Sequence, residues 1–267
     1  MSLPPFSHDV NTQYTESPNA SWSFGQKVDT TAAGKEWLEG EKEGWKIIDT
    51  EKEDHIKLYQ LMISGIVPRP IAFIATISED GIENLAPFSW FNMVTHNPPI
   101  ISFACSNGPV HFKDTRTNVT NGLGFTVNII SEPFIEQANS TSIDAPPSFD
   151  EWSISGLTKE PAIHVKASRV KESAFSMECE LHQAIDITQP TTGAITTTLI
   201  LARVKYIHVR KDMLNERGNV DATKFKAVGR LGDISYARVG DAFRLPRPIW
   251  TQEEDKINGL LAATGHL

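Results

Sequence analysis

Asp80-Gly81 sits between two short apolar runs, residues 71–78 and 82–86, and this arrangement constrains the fold more than any other feature. Glycine reaches positive φ without steric cost, so Asp-Gly between two such runs marks a tight hairpin. The first run is rich in β-branched and aromatic residues and contains no helix breaker. Pro87 ends the return strand. A loop holding Phe88, Ser89, Trp90, Phe91 and Asn92 then leads through a short strand to Pro98-Pro99. Residues 100–105 read as another strand, bounded by the Asn107-Gly108-Pro109 turn.

The same grammar continues on both sides. Upstream, WKIID at 45–49 reads as a short strand, and residues 54–65 have loosely helical apolar spacing. Downstream, Asp114 is placed to cap a short helix that Asn121-Gly122 would stop. In residues 124–130, Phe125, Val127 and Ile129 alternate with Thr126 and Asn128. Ser131 and Pro133 open a second helix. Residues 176–187 alternate cleanly, whereas 197–209 carry apolar residues on both faces, the pattern of a strand covered on both sides. Residues 189–193 suit a hairpin between them. After Asp212 come a polar loop and then residues 225–231, and residues 249–267 read as a short helix with a frayed end. Strands joined by short turns, with only brief helices inserted, predict a mainly β fold with α additions, built as an antiparallel barrel.

Composition excludes several functions. A net charge of −8 and a pI near 5.5, with no Lys/Arg-rich run, argue against a nucleic-acid partner. No apolar run is long enough to span a membrane, and the first residues, MSLPPFSHDV, lack the pattern of a secretory signal. A cytoplasmic protein is therefore expected, with the sequons at Asn19, Asn118 and Asn139 idle. Cys105 and Cys179 make neither a zinc pattern nor a disulfide framework. The eight histidines, His111 and His266 among them, are scattered. His182 and His208 fall on neighbouring strands but lack a third ligand, so no metal site is expected. Residues 1–44 form a polar N-terminal arm whose aromatics, Tyr14, Trp22, Phe24 and Trp37, suit anchoring on another surface.

Three groups of residues are candidates for binding. Lys113, Asp114 and Thr115 at a helix start offer a charge, unpaired amides and a hydroxyl to a phosphate. Taken alone, they fit an ordinary capped helix with a solvated lysine at least as well. Asn84, Ser89 and Asn92 stand among Phe88, Trp90 and Phe91 where a strand gives way to a Pro-fixed loop. That suits the polar edge and apolar face of a flat heteroaromatic ligand, and equally a polar loop whose aromatics belong to the core. Cys105 reads as a small core residue, and Ser106 beside it could donate to a phosphate near Lys113. P-loop, Rossmann, zinc-protease and nucleophile-elbow motifs are all absent.

Taken together, RPIAFIAT, NLAPFSWFN, NPPIISFACS, KDT, GFTVNI, ECELHQ, YIHVRKDML and AVGRLGDISYARVGDAFRLPRP resemble, in this order, the flavin-reductase-like branch of the FMN-binding split-barrel family. The resemblance covers residues 45–248 as one domain, leaving the arm at 1–44 and a C-terminal tail at 249–267. It implies a six-stranded antiparallel Greek-key split barrel, a homodimer, and FMN in a groove near the subunit boundary. By matching position, Asn84, Ala86, Pro87, Ser89, Phe91 and Asn92 would line the ring and ribityl chain. Ser106, Lys113 and Thr115 would lie near the phosphate, Arg69 or Thr76 near the ring, and Tyr236 near the flavin or the opposite subunit. Trp90 stands where a smaller aromatic is common and would narrow the pocket; Asp233 stands where a second glycine is common. The implied activity is FMN-dependent oxidation of NADH or NADPH, with electrons passed to free flavin or a small organic acceptor. Tailoring of a specialised metabolite and a non-catalytic flavin-binding role remain as alternatives.

Overall fold

The computed structural model describes residues 3–8, 12–107 and 112–265. The turn at Gly108-Pro109, together with His111 and His266, lies outside the described residues. Two compact units are present, one gathering Met1–Leu58 with Gly240–Leu267, the other Tyr59–Val239.

Within the larger unit the apolar runs become strands β1 (Ala72–Ile77), β2 (Glu83–Phe88), β3 (Phe91–His96), β4 (Pro99–Ser106) and β5 (Phe125–Ile129). The long hairpin β6 (Phe175–Thr188) and β7 (Ile195–Val209) follows. Hydrogen bonding joins all seven in the order β2-β1-β5-β6-β7-β4-β3, every neighbouring pair antiparallel. The ladders thus give seven strands in an open order, where six in a barrel were expected. The two edge strands are nonetheless consecutive in sequence, with only Ser89 and Trp90 between them. The chain ends of the two edge strands are therefore adjacent there, and Ala104 N donates to Trp90 O at 2.9 Å to hold that corner.

The predicted hairpin forms as expected. Gly81 takes φ of 84°, and Ser78 N donates to Ile82 O at 2.8 Å. Pro87 does not end β2 but pairs with Phe73 inside it. An edge strand tolerates proline because no partner asks for its missing N–H.

Strand β1 explains the core. Ala72 and Ile74 face an inner cluster with Phe103, Phe125, Val127, Cys179 and Ile200. Ile71, Phe73 and Ala75 face an outer cluster with Leu85, Ile130, Phe134, Trp152 and Val228. Alternation along one strand thus feeds two layers at once. Phe103 is fully buried, its ring 5.7 Å from Phe88 and 5.8 Å from Phe125, and removing such a side chain from water stabilises by about 1.5–3 kcal/mol.

Four helices pack in or beside this unit: α1 (His55–Gly65), α2 (Asp114–Thr120), α3 (Ile135–Ser140) and α4 (Trp152–Ser155). Asp114 is not the cap of α2. Lys113 holds the cap position, and Asp114 lies in the first turn, where a carboxylate faces the positive end of the dipole. Ser131 caps the short turn ahead of α3 without a side-chain bond to it, because its hydroxyl donates to Phe225 O at 2.7 Å.

The two long strands reverse the burial expected of them. In β7, Thr198, Ile200, Ala202 and Val204 are buried while their neighbours are not; in β6, Ser176 to Cys179 are buried on both faces. The cause is Glu178. Its fully buried carboxylate accepts from the main-chain N–H of Ile163, His164 and Val165 and lies 2.6 Å from His208 Nε2, drawing that loop over the strand. Residues 45–49 form no strand. Trp45 and Ile47 are exposed, so no burial offsets the entropy of ordering them in a sheet. Residues 225–231 divide into a helical turn, Ala222–Phe225, and strand β8 (Val228–Arg230), which pairs with β9 (Tyr236–Arg238).

In the smaller unit, Tyr14–Thr15 pairs with Ala242–Phe243, and two helices, Ala32–Glu39 and Trp250–Ala263, account for most of the regular structure. No helix among the described residues is long and apolar enough to cross a membrane.

Candidate functional site

Strand β2 and the Ser89-Trp90 corner form one wall of two small cavities. The first, about 180 Å³, is lined by Arg69, Pro87, Ser89, Trp90, Arg230 and Tyr236, with Tyr59 and Ile63 of α1. The second, about 120 Å³, is lined by Asn84, Ala86, Pro87, Lys113, Thr115 and Glu151, with Asp114 and Asp144. Both include Pro87 and Ser142, so the two adjoin there and together make up the trough along β2.

Arg69 anchors the first end. Pro68 and Pro70 hold it extended, and its main chain exchanges hydrogen bonds with Arg230 at 3.0 and 2.8 Å. Arg69 as a whole residue is 7% exposed. Its Nη1 donates to Ile63 O and Ile66 O, Nη2 to Leu231 O at 2.8 Å, and Nε to Ser89 Oγ at 3.4 Å. Burial, and then the charge of Arg230, push its pKa below the usual arginine value. Arg230 lies over the Tyr236 ring at 4.4 Å, and the Tyr236 hydroxyl donates to Asn139 Oδ1 at 2.9 Å. Trp90 and Tyr59 face each other with centroids 6.4 Å apart. Gly232 permits this corner to close, since a Cβ there would stand 2.8 Å from Ser64 Cβ. Asp233 follows in the left-handed region at φ 56°, a conformation glycine takes freely and aspartate tolerates.

A buried chain of side chains forms the second end. Asn84 Nδ2 donates to Glu151 Oε2 at 2.8 Å, Thr115 Oγ1 donates to Asn84 Oδ1 at 2.8 Å, and Asn118 Nδ2 donates to Thr76 Oγ1 at 3.0 Å. Leu85 N also donates to Glu151 Oε2, at 3.1 Å. Burial pushes the Glu151 carboxyl above its usual pKa, against the lowering effect of these bonds, and Asp114 adds to the rise. Lys113 Nζ is paired with Asp144 at 3.0 Å.

Of the residues singled out in the sequence, Arg69, Asn84, Ala86, Pro87, Ser89, Lys113, Thr115 and Tyr236 come together along the trough. Thr76 stands one hydrogen bond behind it. Phe91 packs against the inner core, Asn92 Oδ1 turns to Met93 N, and Ser106 lies at the exposed end of β4; none of these three lines either cavity. Cys105 is fully buried, which pushes its thiol up to about 12 and leaves it inert. The sequence reading missed Glu151, Ser142, Asp144, Asn139 and Arg230. Arg230 lay inside the quoted GRLGD segment and Asn139 ends helix α3, while Ser142, Asp144 and Glu151 sit in an irregular stretch without local signature. Among the described residues, no group of three His, Cys, Asp or Glu side chains could hold a metal.

A family model described as flavin reductase like domain matches residues 64–227. An uncharacterised protein of Aquifex aeolicus is 36% identical over 189 residues, 70% of this chain and 93% of that protein. The crystal structure of nitrilotriacetate monooxygenase component B from Bacillus cereus superposes with a TM-score of 0.72 at 31% identity, covering 76% of this chain and 99% of that one. That of 2-nitrobenzoate 2-nitroreductase NbaA from Pseudomonas fluorescens gives 0.68 at 25% identity, covering 77% and 98%. Fold, trough and neighbours together define a split-barrel flavoprotein of oxidoreductase class. The chain belongs to the flavin reductase like family.

Proposed function

We propose that the protein is an FMN-dependent oxidoreductase that takes hydride from NADH or NADPH and passes electrons to free flavin or a small organic acceptor. The observation that carries this reading is the pair of adjoining cavities along β2, with the buried Arg69 at one end and the Lys113 ammonium at the other. An elongated ligand, planar and polar at one end and phosphorylated at the other, matches that layout. The donors fit. Arg69 and Ser89 offer polar edges beside the Pro87 wall, and Lys113 would exchange Asp144 for a phosphate.

Bound flavin supplies the two-electron chemistry itself. The chain's own residues then have three tasks. Asn84, Ala86 and Pro87 fix the position of the ligand along β2, since Asn84 is itself held from both sides by Glu151 and Thr115. Arg69, immobilised by carbonyls of α1 and of the segment after β8, sets the electrostatic field at the ring end. Trp90 and Tyr59, both exposed at that end, would cover a bound ring. This reading asks no side chain to act as a general acid or base.

Exposed Met93 and Val94 on edge strand β3, with Ile185 and Ile187 on β6, support the homodimer that belongs to the same proposal. The proposal also includes closure of the sheet as a Greek-key barrel, with its seam at Ser89-Trp90. The test is FMN uptake by the purified protein, followed by NAD(P)H oxidation. Protein that ignores FMN at micromolar concentration would refute the reading.

A further inference from the structure

Arg69 and Arg230 are directly opposed across an antiparallel bridge, so their side chains leave the same face. Both line the 180 Å³ cavity. Like charges in that position repel, and burial makes the repulsion stronger. Yet among the described residues neither guanidinium has a carboxylate within 4.0 Å, although Asp233 lines the same cavity. Arg230 spends its charge on the Tyr236 ring and the carbonyls of Asp233 and Ile234. Arg69 uses four of its five N–H groups on neutral acceptors, leaving one Nη2 hydrogen without a partner. A buried cation is ordinarily paired. Here the cavity that both arginines line lies beside the unpartnered N–H.

We propose that Arg69 and Arg230 form a subsite for a planar, delocalised anion. The cavity is smaller than the roughly 300 Å³ at which drug-sized pockets begin, so it takes one ring with one acidic group or an equal part of a larger ligand. Trp90, Tyr59 and Tyr236 provide aromatic faces for that ring, and the N–H groups left free on Arg230, with the one left on Arg69, suit a carboxylate-like edge. Two sources share this chemistry: a carboxylate carried by an organic acceptor, and the flavin ring when reduction leaves it anionic. The place of the subsite in a redox reaction rests on the flavin reading; the anion binding itself does not.

Benzoate is the probe, with neutral, isosteric benzamide as control, titrated calorimetrically into the full-length protein before and after loading with FMN. We expect benzoate to bind flavin-free protein about 10-fold or more tightly than benzamide. Arg230→Gln should abolish the preference, and Arg230→Lys, which keeps the charge without the fork, should retain part of it. Arg230 is the residue to change, because Arg69 also ties α1 to Leu231 and its loss would disturb the fold. If FMN blocks benzoate, the flavin ring supplies the anion; if benzoate still binds the loaded protein, an acceptor carboxylate does. Equal binding of the two probes, no benzoate binding at millimolar concentration, or an unchanged preference in folded Arg230→Gln overturns the proposal. Failure to take up FMN would instead count against the flavin reading alone.

Discussion

Glu151 Oε2 receives two hydrogen bonds from consecutive residues of one strand, the Asn84 amide at 2.8 Å and the Leu85 main chain at 3.1 Å. The loop that carries α4 is thereby pinned to β2 at the wall of the second cavity. Asn84→Ala removes one of the two donors and leaves buried oxygens short of partners, at a cost of about 1–3 kcal/mol. Chemical denaturation should show that loss, and FMN titration a weaker complex.

Glu151 also predicts a pH dependence. Burial raises its pKa above the ordinary 4.5, so the native state holds the proton more tightly than the unfolded chain. Its contribution to stability is full below the unfolded value and is lost as pH rises through the folded one. The stability difference between wild type and Glu151→Gln should therefore shift against wild type as pH increases from about 4.5, read from denaturation midpoints across a pH series.

Glu178 predicts the opposite slope. Burial alone would raise its pKa, but the N–H of Ile163, the His208 imidazole and the N–H groups of His164 and Val165 prevail and lower it. Its stabilisation is present above the unfolded pKa and is lost as pH falls through the folded one. Glu178→Gln should cost about 1.5–3 kcal/mol at neutral pH, because hydrogen bonds to a charged acceptor become bonds to a neutral one. Denaturation at pH 7 and pH 4 should show the mutant gap narrowing in acid.

Lys113 and Asp144 should act on FMN in opposite directions. Lys113→Ala removes the cation proposed to face the phosphate and should weaken FMN by about 10-fold. Asp144→Asn frees the lysine from an exposed pair worth less than about 1 kcal/mol, so FMN should tighten by no more than about 5-fold. Riboflavin, without the phosphate, should be indifferent to both, which equilibrium titration can measure.

Gly232 is the steric test of the ring end. A Cβ there meets Ser64 Cβ at 2.8 Å and Ser64 Cα at 2.9 Å, and backbone cannot step aside cheaply. Gly232→Ala should cost about 1–3 kcal/mol by overpacking and loosen the segment carrying Arg230. A fall in thermal midpoint would check this.

Much of the fold was legible because punctuation is local. Asp80-Gly81 set the hairpin, and alternation in residues 124–130 set β5, since turn chemistry and period two need only near neighbours. Pro87 misled because edge position, which excuses a proline, is a property of the whole sheet. The double burial of Ser176 to Cys179 was invisible for the same reason: it depends on a distant loop gathered by Glu178. In the site, Ser89 stood at a strand end and Lys113 at a helix start and could be read as candidates, whereas Arg69 was implied only by the family resemblance. Glu151 and Asp144 could not be read, because they reach the trough from an irregular stretch after α3 that carries no period. The pairing of Arg69 with Arg230 needed β8 to be placed beside residue 69, which no local pattern encodes.

The account rests on the trough along β2 holding a flavin that a nicotinamide donor can reduce. The most direct measurement is an anaerobic absorbance spectrum of the FMN-loaded protein before and after NADH or NADPH. We predict near-stoichiometric FMN uptake and bleaching of the oxidised flavin bands with at least one of the two donors. Bound FMN that stays oxidised with both donors would contradict it.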